Sequence, residues 1–338
     1  MTTEDLLADK QPPVAATAPC RFRRFQPSLD VERLARLFTA IEAVDHDDEH
    51  SDVEALRQQL AWPGHDPLLD RWVVEETENA DALIGFASLW KAPASGHGDI
   101  VVRVHPAWRR KGIGSELLAR MKARARELGA ASLGAYINVN RPDADAFLRK
   151  RGFQPVSFYT RLRAPMERLR SVASEPVWPT GISARSYAED NRLDALLTGF
   201  NTCFEGQPGH IHLSELELLA WLPQLDPHGI FLAYDEQNHV VGMIRAGSSK
   251  GFSVKYGAPV AYFDAPGAVP AYRSDPKTLY LPLLMSALRW ALAPGALEQE
   301  PALAVMESWG DLPSTLALYQ SLGFAIIVQE HSYRWDAA

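Results

Sequence analysis

Two glycines, Gly112 and Gly114, follow three consecutive cations, Arg109, Arg110 and Lys111, and open a run in which Ile113, Leu117, Leu118, Met121, Ala125 and Leu128 share one helical face. The start of a helix offers several backbone N–H groups without intrahelical partners, and its dipole favours negative charge. Glycines there let the backbone approach a ligand that side chains would hold away, and the cations add attraction for phosphate groups. Residue types in this order suit a pyrophosphate. Pro106, just upstream, marks where strand pairing stops, so the backbone of Val102 and Val104 is expected to be available to an extended ligand.

The elements that must position this loop are legible on both sides. Residues 20–27 and 71–75, 82–90 and 99–104 read as strands, with a helix at 28–44 capped by Ser28. After the loop come the helix that Gly129 ends, a strand at 131–139, a short helix at 142–150 and a closing strand at 153–162. The order is β, α, a β meander, then βαβαβ.

The second half repeats landmarks of the first. Leu83-Ile84-Gly85 returns as Val240-Val241-Gly242, Pro106-Ala107-Trp108-Arg109 as Pro270-Ala271-Tyr272-Arg273, and the stretch 142–153 as 313–324, which keeps Gly-Phe at its end. The reading is a tail at 1–19, expected to be disordered, one domain at 20–163, a proline-bearing linker at 164–181 and a second domain at 182–338.

The string Val104-His105-Pro106-Ala107-Trp108-Arg109-Arg110-Lys111-Gly112-Ile113-Gly114, between a strand and an amphipathic helix, resembles the acetyl-CoA loop of the GCN5-related N-acetyltransferase (GNAT) superfamily, Arg/Gln-x-x-Gly-x-Gly/Ala, with Arg109, Gly112 and Gly114 filling it. The resemblance covers 20–163 well and 182–335 more loosely, and the tandem arrangement is similar to that of the mycothiol synthases and of the aminoglycoside or multi-drug acetyltransferases, with no residue that picks among their acceptors. It implies an α/β (α+β) fold of two acyl-CoA N-acyltransferase-like domains, each a mixed, mostly antiparallel sheet flanked by helices. It also implies acetyl-CoA as donor, held by Val102, Val104, Arg109, Arg110, Lys111, Gly112, Ile113, Gly114, Ser115 and Asn140, and transfer of acetyl to an amine.

In the second copy the loop is Arg273-Ser274-Asp275-Pro276-Lys277-Thr278, with no glycine, a carboxylate and a proline that lacks an N–H, so it is not expected to hold a pyrophosphate. The family's usual general acid is a Tyr four residues before the closing Gly-Phe. That position is Leu148 in the first copy and Tyr319 in the second, so Tyr319 is either that acid, complementing across the copies, or a packed core tyrosine with its hydroxyl satisfied. Asp99, ten residues before Arg109, lies near where the family often carries a general base; the other reading is a surface aspartate at a strand start. Glu75 and Glu76 are weaker candidates.

With 34 Lys/Arg against 42 Asp/Glu the net charge is -8, and residues 171–338 hold 9 cations against 18 anions. That field opposes nucleic-acid binding. No apolar run approaches the roughly 18 residues a membrane span needs, no secretory signal opens the chain, and Cys20 and Cys203 are too few for a disulfide framework or a cysteine metal site, so a cytoplasmic protein with no metal is expected. The run 46–50, His-Asp-Asp-Glu-His, reads as a solvated loop in a region that in this family commonly walls the acceptor pocket. His210 and His212 lack a third metal partner. The function these observations imply is acetyl-CoA-dependent acetylation of a small-molecule amine by a monomer or weak dimer. A non-catalytic acyl-CoA sensor is the other reading.

Overall fold

The computed structural model describes residues 20–337 except 49–52, 61–64, 80, 92–95, 208–209 and 211; the expected tail at 1–19 lies outside the described residues. By contacts the chain divides into two units, one of Met1–His46, Ser51–Trp90 and Ile100–Leu128, the other of Asp47–His50, Lys91–Asp99 and Gly129–Ala338.

The first unit begins with strand β1 (Cys20–Arg24) and helix α1 (Pro27–Asp45). The helix starts at Pro27, which needs no N–H there, and the buried carboxylate of Asp30 accepts from the Gln26 N–H at 2.8 Å, so Asp30 rather than Ser28 satisfies the N-terminus. Helix α2 (Val53–Leu60), β2 (Arg71–Glu76), β3 (Leu83–Lys91), β4 (His97–Val104) and α3 (Ile113–Glu127) follow. Strands β1, β2 and β3 pair antiparallel, with a bulge between Val74 and Glu75. Phe25, Val31, Leu34, Leu37, Ile41, Val73 and Phe86 close the core under α1. Gly85 lets α3 down onto β3: a Cβ there would stand 3.1 Å from Ile113 Cγ2 and 3.0 Å from Val74 Cγ2.

The second unit contains β5 (Ser132–Asn138), α4 (Pro142–Arg149), β6 (Gln154–Pro165), α5 (Met166–Val172), β7 (Ser183–Ser186), α6 (Tyr187–Asp190), α7 (Leu193–Cys203), α8 (Glu215–Trp221), β8 (Ile230–Tyr234) and β9 (Val240–Ser248). It continues with α9 (Lys250–Tyr256), β10 (Val260–Asp264), β11 (Gly267–Ala268), α10 (Tyr280–Ala291), β12 (Leu303–Trp309), α11 (Pro313–Leu322) and β13 (Ala325–Asp336). Residues 164–181, read from sequence as linker, carry the end of β6 and the whole of α5, with Leu169 fully buried.

The repeat recurs as hydrogen bonds. His105 N–H donates to Ile84 O at 2.9 Å, and Val269 N–H to Val241 O at 3.0 Å. Arg109 Nε donates to Val104 O at 3.1 Å, and Arg273 Nε to Ala268 O at 2.7 Å. Gly242 repeats the close approach of Gly85, with Leu283 Cδ1 3.0 Å from where a Cβ would lie.

The last strands of the two sequence copies are exchanged. β6 closes the first copy, yet it pairs antiparallel with β12, and β13, which closes the second, pairs with β5. β6 and β13 also pair with each other. Thus residues 129–165 belong by contacts with the second half, and the units part at Leu128 rather than at the linker.

Candidate functional site

In the first unit, β4 gives way at His105 to a 3-10 turn, Pro106–Trp108, whose start is held by the His105 ring accepting from Ala107 N–H at 3.3 Å. Burial and the Arg109 charge hold the His105 imidazole below its ordinary pKa. Arg109 donates twice to Asp45, at 2.8 and 2.6 Å, while its Nε fastens the Val104 carbonyl. Asp45 ends α1 with its side chain 5% exposed, so this pair clamps loop to helix.

Arg110 and Lys111 are exposed, the Lys111 ammonium lying 4.4 Å from the Trp108 ring centroid. Arg110 has φ +64° and Gly112 φ +87°; the latter caps α3 in the left-handed region, where a side chain would be strained although nothing crowds it. Ser115 and Glu116 N–H turn back to the Gly112 carbonyl at 3.0 and 3.1 Å. Ile113 and Gly114 supply the first-turn N–H groups that a helix leaves without an intrahelical acceptor. Ile113 itself is buried and anchors this turn on β3, while Val102 and Val104 lie half-buried on β4.

Asp99, Asn140 and Tyr319 belong to the second unit. The parallel pairing of β4 with β5 ends at Asp99 and Gly134. Asp99 Oδ1 lies 3.4 Å from His97 Nε2, and a Cβ on Gly134 would fall 2.2 Å from that oxygen, so glycine makes room for the carboxylate. Burial, then the Asp99 charge, raise the neighbouring Tyr136 phenol. Asn140 is exposed, its N–H bonded to Asn138 Oδ1 at 3.0 Å. Tyr319 is fully buried and donates to Asp311 Oδ2 at 3.2 Å, as the core reading of this residue expects. Burial and the Asp311 charge push its phenol well above the usual range. Glu75 is taken up by Arg23 at 2.6 Å and Arg33 at 3.1 Å.

The second copy's loop is built differently. Asp275 Oδ1 accepts the Lys277 N–H at 3.0 Å, so a carboxylate occupies the turn, and α10 begins only at Tyr280 behind the buried Leu279.

A polar cluster not singled out from the sequence lies in the second unit, formed by Asp48, Tyr159, Arg161, Arg245, Lys255, Tyr256, Tyr262, Asp264 and Glu307. Tyr262 OH lies 2.7 Å from both Asp264 Oδ1 and Glu307 Oε2, Tyr159 donates to Glu307, and Arg161 Nε lies 3.3 Å from Glu307 Oε1. The available signal was period-two polarity: Tyr159 and Arg161 on β6, and Tyr262 and Asp264 on β10, each fall on one face of a strand. Among the described residues, no group of three or more His, Cys, Asp and Glu side chains could hold a metal ion, and no helix is long and apolar enough to cross a membrane.

With this geometry in place, residues 31–153 match the Acetyltransferase (GNAT) family. A mycothiol acetyltransferase of Renibacterium salmoninarum is 29% identical over 281 residues, 80% of this chain and 75% of that protein. Another, of Segniliparus rotundus, is 31% identical over 47% of this chain, a match that spans only 58% of its own length. Residues 31–153 therefore carry a GNAT acetyltransferase domain. A GCN5-related N-acetyltransferase from Sphaerobacter thermophilus covers 94% of this chain at TM-score 0.69 and 18% identity, with 96% of its own length covered. A tandem GNAT protein from the clavulanic acid biosynthesis pathway does so over 94% at 0.64, also at 18% identity, with 99% of that chain covered. At such identities these likenesses establish the tandem GNAT fold alone. GNAT enzymes take their acyl group from acyl-CoA.

Proposed function

We propose that this chain is an acetyl-CoA-dependent N-acetyltransferase of tandem copies 20–163 and 182–338, joined through 164–181, that binds its donor on the first copy's loop and acetylates a small-molecule amine. The observation that carries this reading is the contrast between the loops: Gly112 in the left-handed region before the N–H groups of Ile113 and Gly114, against Asp275, whose carboxylate already accepts the Lys277 N–H. Arg110 and Lys111 supply exposed charge to the donor's phosphates, Ser115 and Asn140 hydrogen-bonding groups, and Val102 and Val104 backbone for its extended arm. Arg109 serves as the loop's fastener through Asp45.

The amine must attack uncharged, forming its C–N bond as the thioester C–S bond breaks and CoA leaves as thiolate. Asp99, partly exposed beside His97, is the candidate to take the amine's proton. The thiolate is a good leaving group and can be protonated by water, so Leu148 in the usual acid position does not preclude transfer, and Tyr319 remains the weaker candidate acid. The relatives named as mycothiol acetyltransferases support a small-molecule acceptor. The fused pair favours a monomer.

Calorimetric titration of acetyl-CoA into wild type, Gly112→Pro and Asp275→Gly, followed by a thiol-release assay across amines, tests this. One site lost only in Gly112→Pro, with amine-dependent CoA release, is expected. Binding without release would favour the sensor reading, and no binding by wild type would refute both.

A further inference from the structure

The acetyl-CoA reading makes no use of one end of the polar cluster. There Arg161 on β6 and Lys255 and Tyr256 on α9 converge on a single carboxylate, that of Asp48. Lys255 Nζ stands 2.7 Å from its Oδ1, the Tyr256 hydroxyl donates to Oδ2 at 2.7 Å, and Arg161 Nη1 lies 3.3 Å from Oδ2. The Asp48 carbonyl is held too, by Arg161 Nη1 at 2.8 Å and by Lys255. The receiving side chains are not core: Arg161 and Lys255 keep 14% and 11% exposure, and Asp48 keeps 19%. Burial works to raise the Asp48 carboxyl, but the hydrogen bonds from Lys255 and Tyr256 and the charges of Lys255 and Arg161 outweigh it, so it stays below its ordinary range.

We propose that Arg161, Lys255 and Tyr256 form a receptor for the carboxylate of a small-molecule ligand, for which Asp48 is the built-in competitor. Three donors from a strand and a helix are fixed by their own elements, whereas Asp48 lies outside any helix or strand and holds φ +54°, a conformation that costs a non-glycine residue stability. The receptor is rigid and its occupant is the replaceable part. One ammonium, one guanidinium and one hydroxyl match the two oxygens of a carboxylate. Glu307, 3.3 Å from the same guanidinium, opposes two negative charges concentrated on one group, as in phosphate, and leaves the single charge of a carboxylate group as the better match.

The site is independent of the acetyl-CoA reading, and its test needs no donor. Succinate is titrated calorimetrically into the full chain as wild type, Asp48→Asn and Asp48→Asn/Lys255→Met, with succinamide and inorganic phosphate as controls and a melting curve for each variant. Asp48→Asn keeps the side chain's shape and the carbonyl contacts, so it is expected to fold, and to bind succinate about tenfold tighter than wild type. The second substitution should remove that binding, and succinamide should not bind. Tyr256→Phe in the Asp48→Asn background should weaken succinate by about tenfold or more, the loss of one charge-assisted hydrogen bond. Equal affinity in wild type and Asp48→Asn, binding that survives Lys255→Met, succinamide matching succinate, phosphate binding more tightly than succinate, or no succinate binding by a folded Asp48→Asn protein would each overturn the proposal.

Discussion

Replacing Arg109 with Met separates two roles that the motif alone cannot distinguish. Its guanidinium makes two bonds to Asp45, at 2.8 and 2.6 Å, and Nε makes one to the Val104 carbonyl at 3.1 Å. Removing one partner of a buried ion pair costs about 3–5 kcal/mol, because the remaining charge loses its compensation. Here Arg109 keeps 24% exposure, so water can reach Asp45 and the lower part of that range applies. With the carbonyl bond the loss is about 3 kcal/mol, a fall in Tm of about 6–12 °C for a unit of this size. Asp45→Asn combined with Arg109→Met should recover part of it, since no uncompensated charge remains. Scanning calorimetry reads the stability, and titration of acetyl-CoA into the same proteins reads the loop. Arg110→Met and Lys111→Met should weaken acetyl-CoA with little change in Tm. If Arg109→Met instead left Tm unchanged while weakening acetyl-CoA tenfold, the guanidinium would belong to the phosphates and the clamp argument would fail.

Two further outcomes follow from buried groups. Burial pushes the Asp311 carboxyl up to about 6 against the hydrogen bonds of Ser308 and Tyr319, so its protonated form is the one the fold favours. Its contribution is full below the unfolded value near 4 and is lost as pH rises to about 6, by about 3 kcal/mol. Asp311→Asn should flatten that part of the Tm-against-pH curve, and an unchanged slope would count against the assignment. Cys203 is fully buried and its thiol is pushed up to about 12 by burial, so in the native protein a thiol reagent should modify Cys20 first and reach Cys203 only on unfolding. Rapid native labelling of both would contradict this.

Much of the fold was legible because its signals are local. Alternation and turn residues placed β2 through β6 within a few residues, and the glycines at 112 and 114 marked the start of α3, where Gly112 takes a left-handed φ. The repeated Pro-Ala-aromatic-Arg tetrapeptide corresponded to a repeated carbonyl bond. What could not be read was non-local. Asp45 lies 64 positions from Arg109 and nothing between them announces the pair. Ser28 looked like a cap, but the prolyl start of α1 and the buried Asp30 took that role. The prolines of 164–181 do not reveal that the segment holds α5 with Leu169 buried in a core. The cluster on β6, β10 and β12 was missed because each of these strands shows only one or two of its polar residues.

The strand exchange bears on why a copy without a glycine loop persists. β5 of the first copy obtains its neighbour β13 from the last residues of the chain, and β12 obtains β6 from the first copy. Deleting the second copy would therefore strip a strand from the first and leave a raw sheet edge, a surface prone to aggregation. With strands shared in this way, a change confined to one loop leaves the sheet whole, whereas loss of the half that carries that loop does not.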